Sequence, residues 1–125
     1  MREIKFRAWY IGKEKMLNDV CVLICNNELY KVFDGYSMKE YIGNDKHFHI
    51  MQYTGLKDKN GKEIYEMDIV EWISGIQPFK GLIVYDRGRF SIEINNDLCD
   101  LHFRVRENNI KIIGNIYENP ELQNK

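Results

Sequence analysis

A chain of 125 residues, 44% hydrophobic and 30% charged, has the balance of an ordinary globular domain, and at this length about two thirds of the unfolded surface can be buried without a disulfide or metal staple. A formal net charge of −1 argues against strong non-specific nucleic-acid binding, which draws on a basic surplus unless the charges segregate by face. Three cysteines, an odd number with no Cys-x-x-Cys, read as reduced thiols of a cytoplasmic protein; the opening Met1-Arg2-Glu3-Ile4-Lys5 lacks the apolar stretch of a signal peptide, and no apolar run approaches the ~20 residues that span a bilayer.

Eight Tyr, six Phe and only two Pro favour strands. Ile4, Phe6 and Ala8 alternate with Lys5, Arg7 and Trp9, a half-buried strand, and Gly12 to Lys15 is a turn. Val20-Cys21-Val22-Leu23-Ile24-Cys25 reads as a strand buried on both faces. Asn26-Asn27 then joins it to Glu28–Phe33 as a hairpin, because Asn tolerates positive φ. Ser37 and Glu40 have capping-box spacing, with Tyr36 and Tyr41 placed for a staple, and predict a short helix from Tyr36 to Gly43 closed by that glycine. His47 to Tyr53 alternates again. Asn60-Gly61 signals a type I′ turn, and Asp68–Ile73 is a strand. Gly75 to Pro78 is a loop, Gly81–Tyr85 a strand, and Asp86-Arg87-Gly88 a turn. Phe90, Ile92 and Ile94 form a strand, and Asn95-Asn96-Asp97 breaks the chain. Leu101, Phe103 and Val105 alternate as a further strand. After the turn at Glu107-Asn108-Asn109, Ile110 to Tyr117 is the last strand. Asn119-Pro120 opens a short terminal turn, and residues 123–125 fray.

Short strands separated by turns, without repeats, give a mostly β fold, a β-rich α+β arrangement rather than βαβ units. The expected architecture is a single domain of residues 1–125 in two lobes. Residues 1–50 form an N-terminal strand hairpin with a short helix, and residues 51–125 form a small SH3-like barrel.

Three segments carry a family resemblance. They are Ile4-Lys5-Phe6-Arg7-Ala8-Trp9; the stretch from Met51-Gln52-Tyr53-Thr54-Gly55-Leu56-Lys57-Asp58-Lys59-Asn60-Gly61-Lys62-Glu63-Ile64-Tyr65-Glu66 into Asp68-Ile69-Val70; and Ile113-Gly114-Asn115-Ile116-Tyr117-Glu118-Asn119-Pro120-Glu121-Leu122. In this order and spacing the chain resembles the YopX family of phages and prophages of Gram-positive bacteria. It departs from the family at Tyr10, where an acidic residue is usual, and at Met67, where Gly is usual. If that Gly has positive φ, Met67 is strained or the turn is shifted. The resemblance implies a phage accessory protein with no assigned activity, so no catalytic residue is transferred by it.

The chemistry-bearing residues give few alternatives. Cys21 and Cys25 would lie about 13 Å apart on a strand, too far for one zinc, and His47 and His49, about 7 Å apart, lack companions, so no metal or other cofactor is expected. Ser74 and Ser91 lie in no nucleophile motif. Gly55 to Lys62 imitates a phosphate loop, but Glu63 follows the lysine and no helix does. Asp58, Glu63, Glu66, Asp68 and Glu71 cluster in sequence, and Glu66 and Asp68 would suit a hydrolase or a magnesium site, against the simpler reading of a solvated turn in which Asp68, opening a strand, satisfies backbone N–H groups itself. Arg104 and Arg106, with His102 on the same strand face and Arg87 and Arg89 nearby in sequence, suit a nucleic-acid surface. Trp9, Tyr10, Trp72 and Phe79 suit a protein interface or a core. The leading expectation is a non-enzymatic accessory protein in the cytoplasm of a bacterial host. It would form a homo-oligomer and bind a host or phage protein, with no membrane association; nucleic-acid binding through the Arg104/Arg106 face is the alternative.

Overall fold

In a computed structural model, residues 3–41 and 46–123 are described. Among the described residues every strand pairing is antiparallel, and the chain divides into two compact units, Met1–Gln52 and Tyr53–Lys125.

The first unit contains β1 (Phe6–Tyr10), β2 (Lys15–Cys25), β3 (Glu28–Asp34), β4 (Glu40–Tyr41) and the start of β5 (Phe48–Lys57), in the order β4-β3-β2-β1-β5. Ala8, Leu17, Val20, Val32 and Phe48 form its core, with Tyr10 and Tyr41 packed against it. Asn26 and Asn27 both have positive φ, 52° and 65°, so the expected hairpin closes with two left-handed residues, as type I′ requires. The apolar run beyond Val20 is not buried, however. Cys21, Leu23, Ile24 and Cys25 are exposed, because β1 pairs with β2 only as far as Val20. Hydrophobic character fixed the strand but not its depth.

The helix expected from Tyr36 does not form. Asp34 N–H donates to Lys39 O (2.8 Å), Met38 N–H to Asp34 O (2.9 Å) and Tyr36 N–H to Asp34 Oδ1 (2.8 Å), making a hairpin loop into β4. Ser37 Oγ accepts from Lys39 N–H two residues on, and Glu40 is a strand residue paired with Lys31. A single helical turn carries its nucleation cost with almost no propagation, whereas the loop satisfies the same polar groups. Gly43 lies outside the described residues.

In the second unit β5 continues to Lys57 and pairs with β6 (Glu63–Tyr65). A five-stranded sheet follows from β7 (Asp68–Ser74), β8 (Gln77–Asp86), β9 (Arg89–Ile94), β10 (Asp97–Cys99) and β11 (Lys111–Asn115), in the order β10-β9-β8-β7-β11. Gly75 and Ile76 are a two-residue turn rather than a longer loop, and only Gly75 has positive φ. Ile64, Val70, Trp72, Ile83, Ile92, Leu101, Ile110 and Ile112 form the core.

This sheet does not close into a barrel, so the SH3-like expectation is corrected. The segment read as a strand at Leu101–Val105 is instead helix α1 (Leu101–Arg106). Alternation at 101, 103 and 105 also satisfies the helical i, i+4 pair Leu101/Val105, both of which pack into the core. Asp100 decides between the periods: its carboxylate accepts the Phe103 N–H, an N-cap. With that segment helical, β10 and β11 remain the two edges of the sheet.

Met67 adopts φ 70°, the conformation expected of the glycine it replaces. Its N–H donates to Ile83 O (2.8 Å) and its carbonyl accepts from Ile116 N–H (3.2 Å), so two neighbouring segments hold the strained backbone in place. A left-handed non-glycine residue costs about 1–2 kcal/mol, partly offset by the half-buried Met side chain. Met67→Gly is therefore expected to stabilise the fold by about 0.5–1 kcal/mol, and Met67→Val to destabilise it. Urea midpoints measure both, and a destabilised Met67→Gly would show that side-chain packing outweighs strain.

Candidate functional site

Two carboxylates of the central motif, Asp58 and Asp68, are engaged by the backbone. Asp58 is only 6% exposed. Its Oδ1 accepts from Asn60 N–H and Lys62 N–H, both at 2.9 Å, and its Oδ2 accepts from Ile112 N–H at 3.0 Å, fifty-four residues away. Gly61 N–H donates to Asp58 O, and Lys59 N–H donates to Ile110 O. Asn60 does not have positive φ whereas Gly61 does (81°), so the turn is a type I turn with a left-handed glycine after it, not the expected type I′. Burial alone raises the Asp58 carboxyl pKa, but the Ile112, Lys62 and Asn60 N–H donors and the Lys62 charge outweigh it and hold the pKa below the usual range.

Asp68 is buried, with Oδ2 accepting from Tyr65 N–H at 2.8 Å. That is the turn-capping role its position after a turn suggested, and it withdraws Asp68 from a paired site with Glu66. Asn115 ties the last turn: its Oδ1 accepts from Tyr117 N–H and Glu118 N–H, and its Nδ2 donates to Glu118 Oε1. A Cβ at Gly114 would meet the Asn119 side chain. Among the described residues, no group of three or more His, Cys, Asp and Glu could hold a metal ion. The three thiols are free; Cys21 and Cys25 are exposed and Cys99 is half-buried.

The expected arginine face is rearranged by α1. His102, Arg104 and Arg106 do not share a strand face, since two residues turn a helix by about 200°. Arg104 lies with its guanidinium carbon 5.4 Å from the centres of both the Trp72 and Phe103 rings, and its Nη1 is 3.2 Å from Glu107 Oε1. Arg106 lies 5.7 Å from the Phe103 ring centre. Arg87 and Arg89 sit at the other end of β8 from Phe79, about 23 Å along the strand, so the fold does not gather the five basic candidates into one patch.

The aromatic candidates also separate. Trp9 and Tyr10 are half-buried on β1, and Tyr10 packs on Phe48 with ring centres 4.7 Å apart. Trp72 is 2% exposed, its Nε1 has no hydrogen-bond partner, and it stacks on Phe79 across the β7–β8 ladder at 5.7 Å and 18°. Phe79 is exposed, and so are Ile73, Phe103 and above all Ile76, 98% exposed at the hairpin tip. Sequence reasoning missed Ile76, whose only signal was an apolar residue beside a turn glycine. On the other face of this sheet a groove of about 540 Å³ is lined by Ile69, Glu71, Lys80, Leu82, Glu93 and Leu122, among others. Glu71 and Lys80 face each other across its floor. Among the described residues, no helix is long and apolar enough to cross a membrane.

These features define a class: a strand-built protein whose motif carboxylates serve architecture and whose apolar side chains emerge at hairpin tips. The YopX protein family model matches residues 5–124, and the chain belongs to the YopX family. No curated protein matches it. Among solved structures it is similar to protein EF1440 from Enterococcus faecalis, with 30% identity and a TM-score of 0.77 over 99% of this chain and 100% of that one. It is also similar in fold to protein yopX from Bacillus subtilis, with 20% identity and a TM-score of 0.72 over 99% and 100% of the two chains.

Asp58→Ala is expected to destabilise the fold by about 2–4 kcal/mol, because it strands the buried Ile112 N–H and unties the loop. Asp58→Asn should lose part of that, since one amide oxygen replaces two acceptor oxygens. A carboxyl whose folded pKa is depressed contributes stability above its unfolded pKa, about 3.9, and loses it as pH falls through the folded value. The stability gap between wild type and Asp58→Asn should therefore narrow below about pH 4; a gap independent of pH between 7 and 2 would refute the role of the charge.

Proposed function

We propose that the protein is a non-enzymatic accessory protein of a phage or prophage that acts in the host cytoplasm by binding a protein partner and associating with itself. The observation that carries this reading is the exposure of large apolar side chains at hairpin ends. Ile76 and Phe79 emerge on the β7–β8 hairpin, with Phe103 on α1 and Ile73 on the opposite face of β7 from Trp72, and Leu23 and Ile24 emerge on the β2–β3 hairpin. Clustered exposed apolar groups mark interaction surfaces on soluble proteins. Trp72 supports the first cluster from beneath, which stiffens Phe79 as an anchor. The engagement of Asp58 and Asp68 by backbone N–H groups favours this reading over a hydrolase at Glu66/Asp68.

Nucleic-acid binding is the second reading, favoured by the gathering of Arg104 and Arg106 around Phe103 on one short helix. Against it stand the Arg104–Glu107 pair and the distance to Arg87 and Arg89.

Light scattering from micromolar to near-millimolar concentration is expected to find an oligomer, and a monodisperse monomer throughout would remove self-association. Ile76→Asp is expected to leave stability within about 0.5 kcal/mol while reducing capture of a protein partner from infected-cell extract; unchanged capture would exclude this hairpin tip as the docking surface. A labelled single-stranded oligonucleotide is expected to show no salt-sensitive binding that Arg104→Ala with Arg106→Ala abolishes. Such binding would promote the second reading over the first.

A further inference from the structure

We propose that the free edge of β2 pairs antiparallel with the same edge of a second copy about a two-fold axis at Leu23, setting Cys21 of each chain opposite Cys25 of the other. This rests on the self-association reading and names its surface.

On its β1 side, β2 is paired only as far as Val20, opposite Phe6, and Glu3–Lys5 belong to no strand. On the other side it is held by β3 down to the Cys25–Glu28 pair. Among the described residues, Cys21–Cys25 therefore has one satisfied edge and one without a neighbouring strand. Natural edges are blocked by charge, proline or bulges. Cys21-Val22-Leu23-Ile24-Cys25 has no charge and no proline, and the register shift at Leu23/Ile24 places its extra residue, Tyr30, on β3. Among the described residues, the part of the β3 edge without a neighbouring strand, by contrast, carries Glu28 and Lys31. Leu23 is 42% and Ile24 51% exposed, and both cysteines are exposed.

The register follows from the bounds of this edge. Val20 is taken by β1, and Asn26 begins the turn. A two-fold axis perpendicular to the sheet keeps like faces together, so each residue meets one of its own parity. Centred on Leu23, it pairs Cys21 with Cys25, Val22 with Ile24 and Leu23 with itself, using the whole edge. Moving the centre to Val22 or Ile24 leaves only three residues paired on each chain. The charges are compatible with this register. Continued outward, it carries Asp19 to Asn27 and Glu28 to Asn18 of the second copy, so no like charges are opposed.

Within one chain Cys21 and Cys25 lie about 13 Å apart along the strand, beyond the reach of a disulfide, so any bond between them links two molecules. The test is mild oxidation of the native protein with diamide, which takes up the two electrons and two protons released as two thiols become a disulfide. The expected product is a covalent dimer whose cross-linked peptides join Cys21 to Cys25. Cys21→Ser alone and Cys25→Ser alone should each abolish it, Cys99→Ser should not, and mixing the two single variants should restore about half, through mixed dimers with one matched pair. Leu23→Lys places two cations at the axis and is expected to weaken dimerisation roughly tenfold. A monomer by light scattering removes self-association and this pairing together. An oligomer with no Cys21–Cys25 cross-link, or with Cys21–Cys21 instead, overturns the pairing and leaves self-association standing.

Discussion

The three hydrogen bonds to the Asp58 carboxylate hold together parts of the chain that nothing local would join. Two shape the loop between β5 and β6; the third reaches Ile112 on β11. A buried carboxylate is tolerable only when donors replace its lost hydration, and here they come from the backbone of two distant segments. The adjacent contacts form one seam with it. Met67 is bonded to Ile83 and Ile116, Asp68 lies opposite Asn115 in the β7–β11 ladder, and Asn115 closes the turn that follows.

Two of the three segments that carry the family resemblance meet along this seam, and there the carboxylates of Asp58 and Asp68 and the amide oxygen of Asn115 accept from backbone N–H groups. The functional reading therefore moves from the motifs to the hairpin ends and strand edges, where Ile76, Phe79 and the β2 edge expose apolar groups without evident architectural use. The arginines show the same shift: on a helix they stack on aromatics of their own chain instead of lining a strand face.

Met67 stands where relatives of this sequence pattern usually carry glycine. A methionine in the place of a glycine posed a choice between strain and a moved turn, and the backbone kept the turn. That outcome is understandable because its N–H and carbonyl are both bonded to neighbouring segments, so moving the turn would break two hydrogen bonds to relieve one strained residue.

The sequence by itself determined the strand-rich character, the hairpin at Asn26-Asn27, the capping role of Asp68 and the family, because alternation, left-handed asparagines and motif spacing are local properties of the chain. Tertiary structure alone decided the rest. Whether Leu101–Arg106 is strand or helix depended on a core that accepts Leu101 and Val105 together, since their spacing suits both periods. Whether Cys21–Cys25 is buried depended on where β1 begins, and the partner of Asp58 lay fifty-four residues ahead. Each of these is a question of which distant segment arrives alongside, and a window of neighbouring residues holds no record of that.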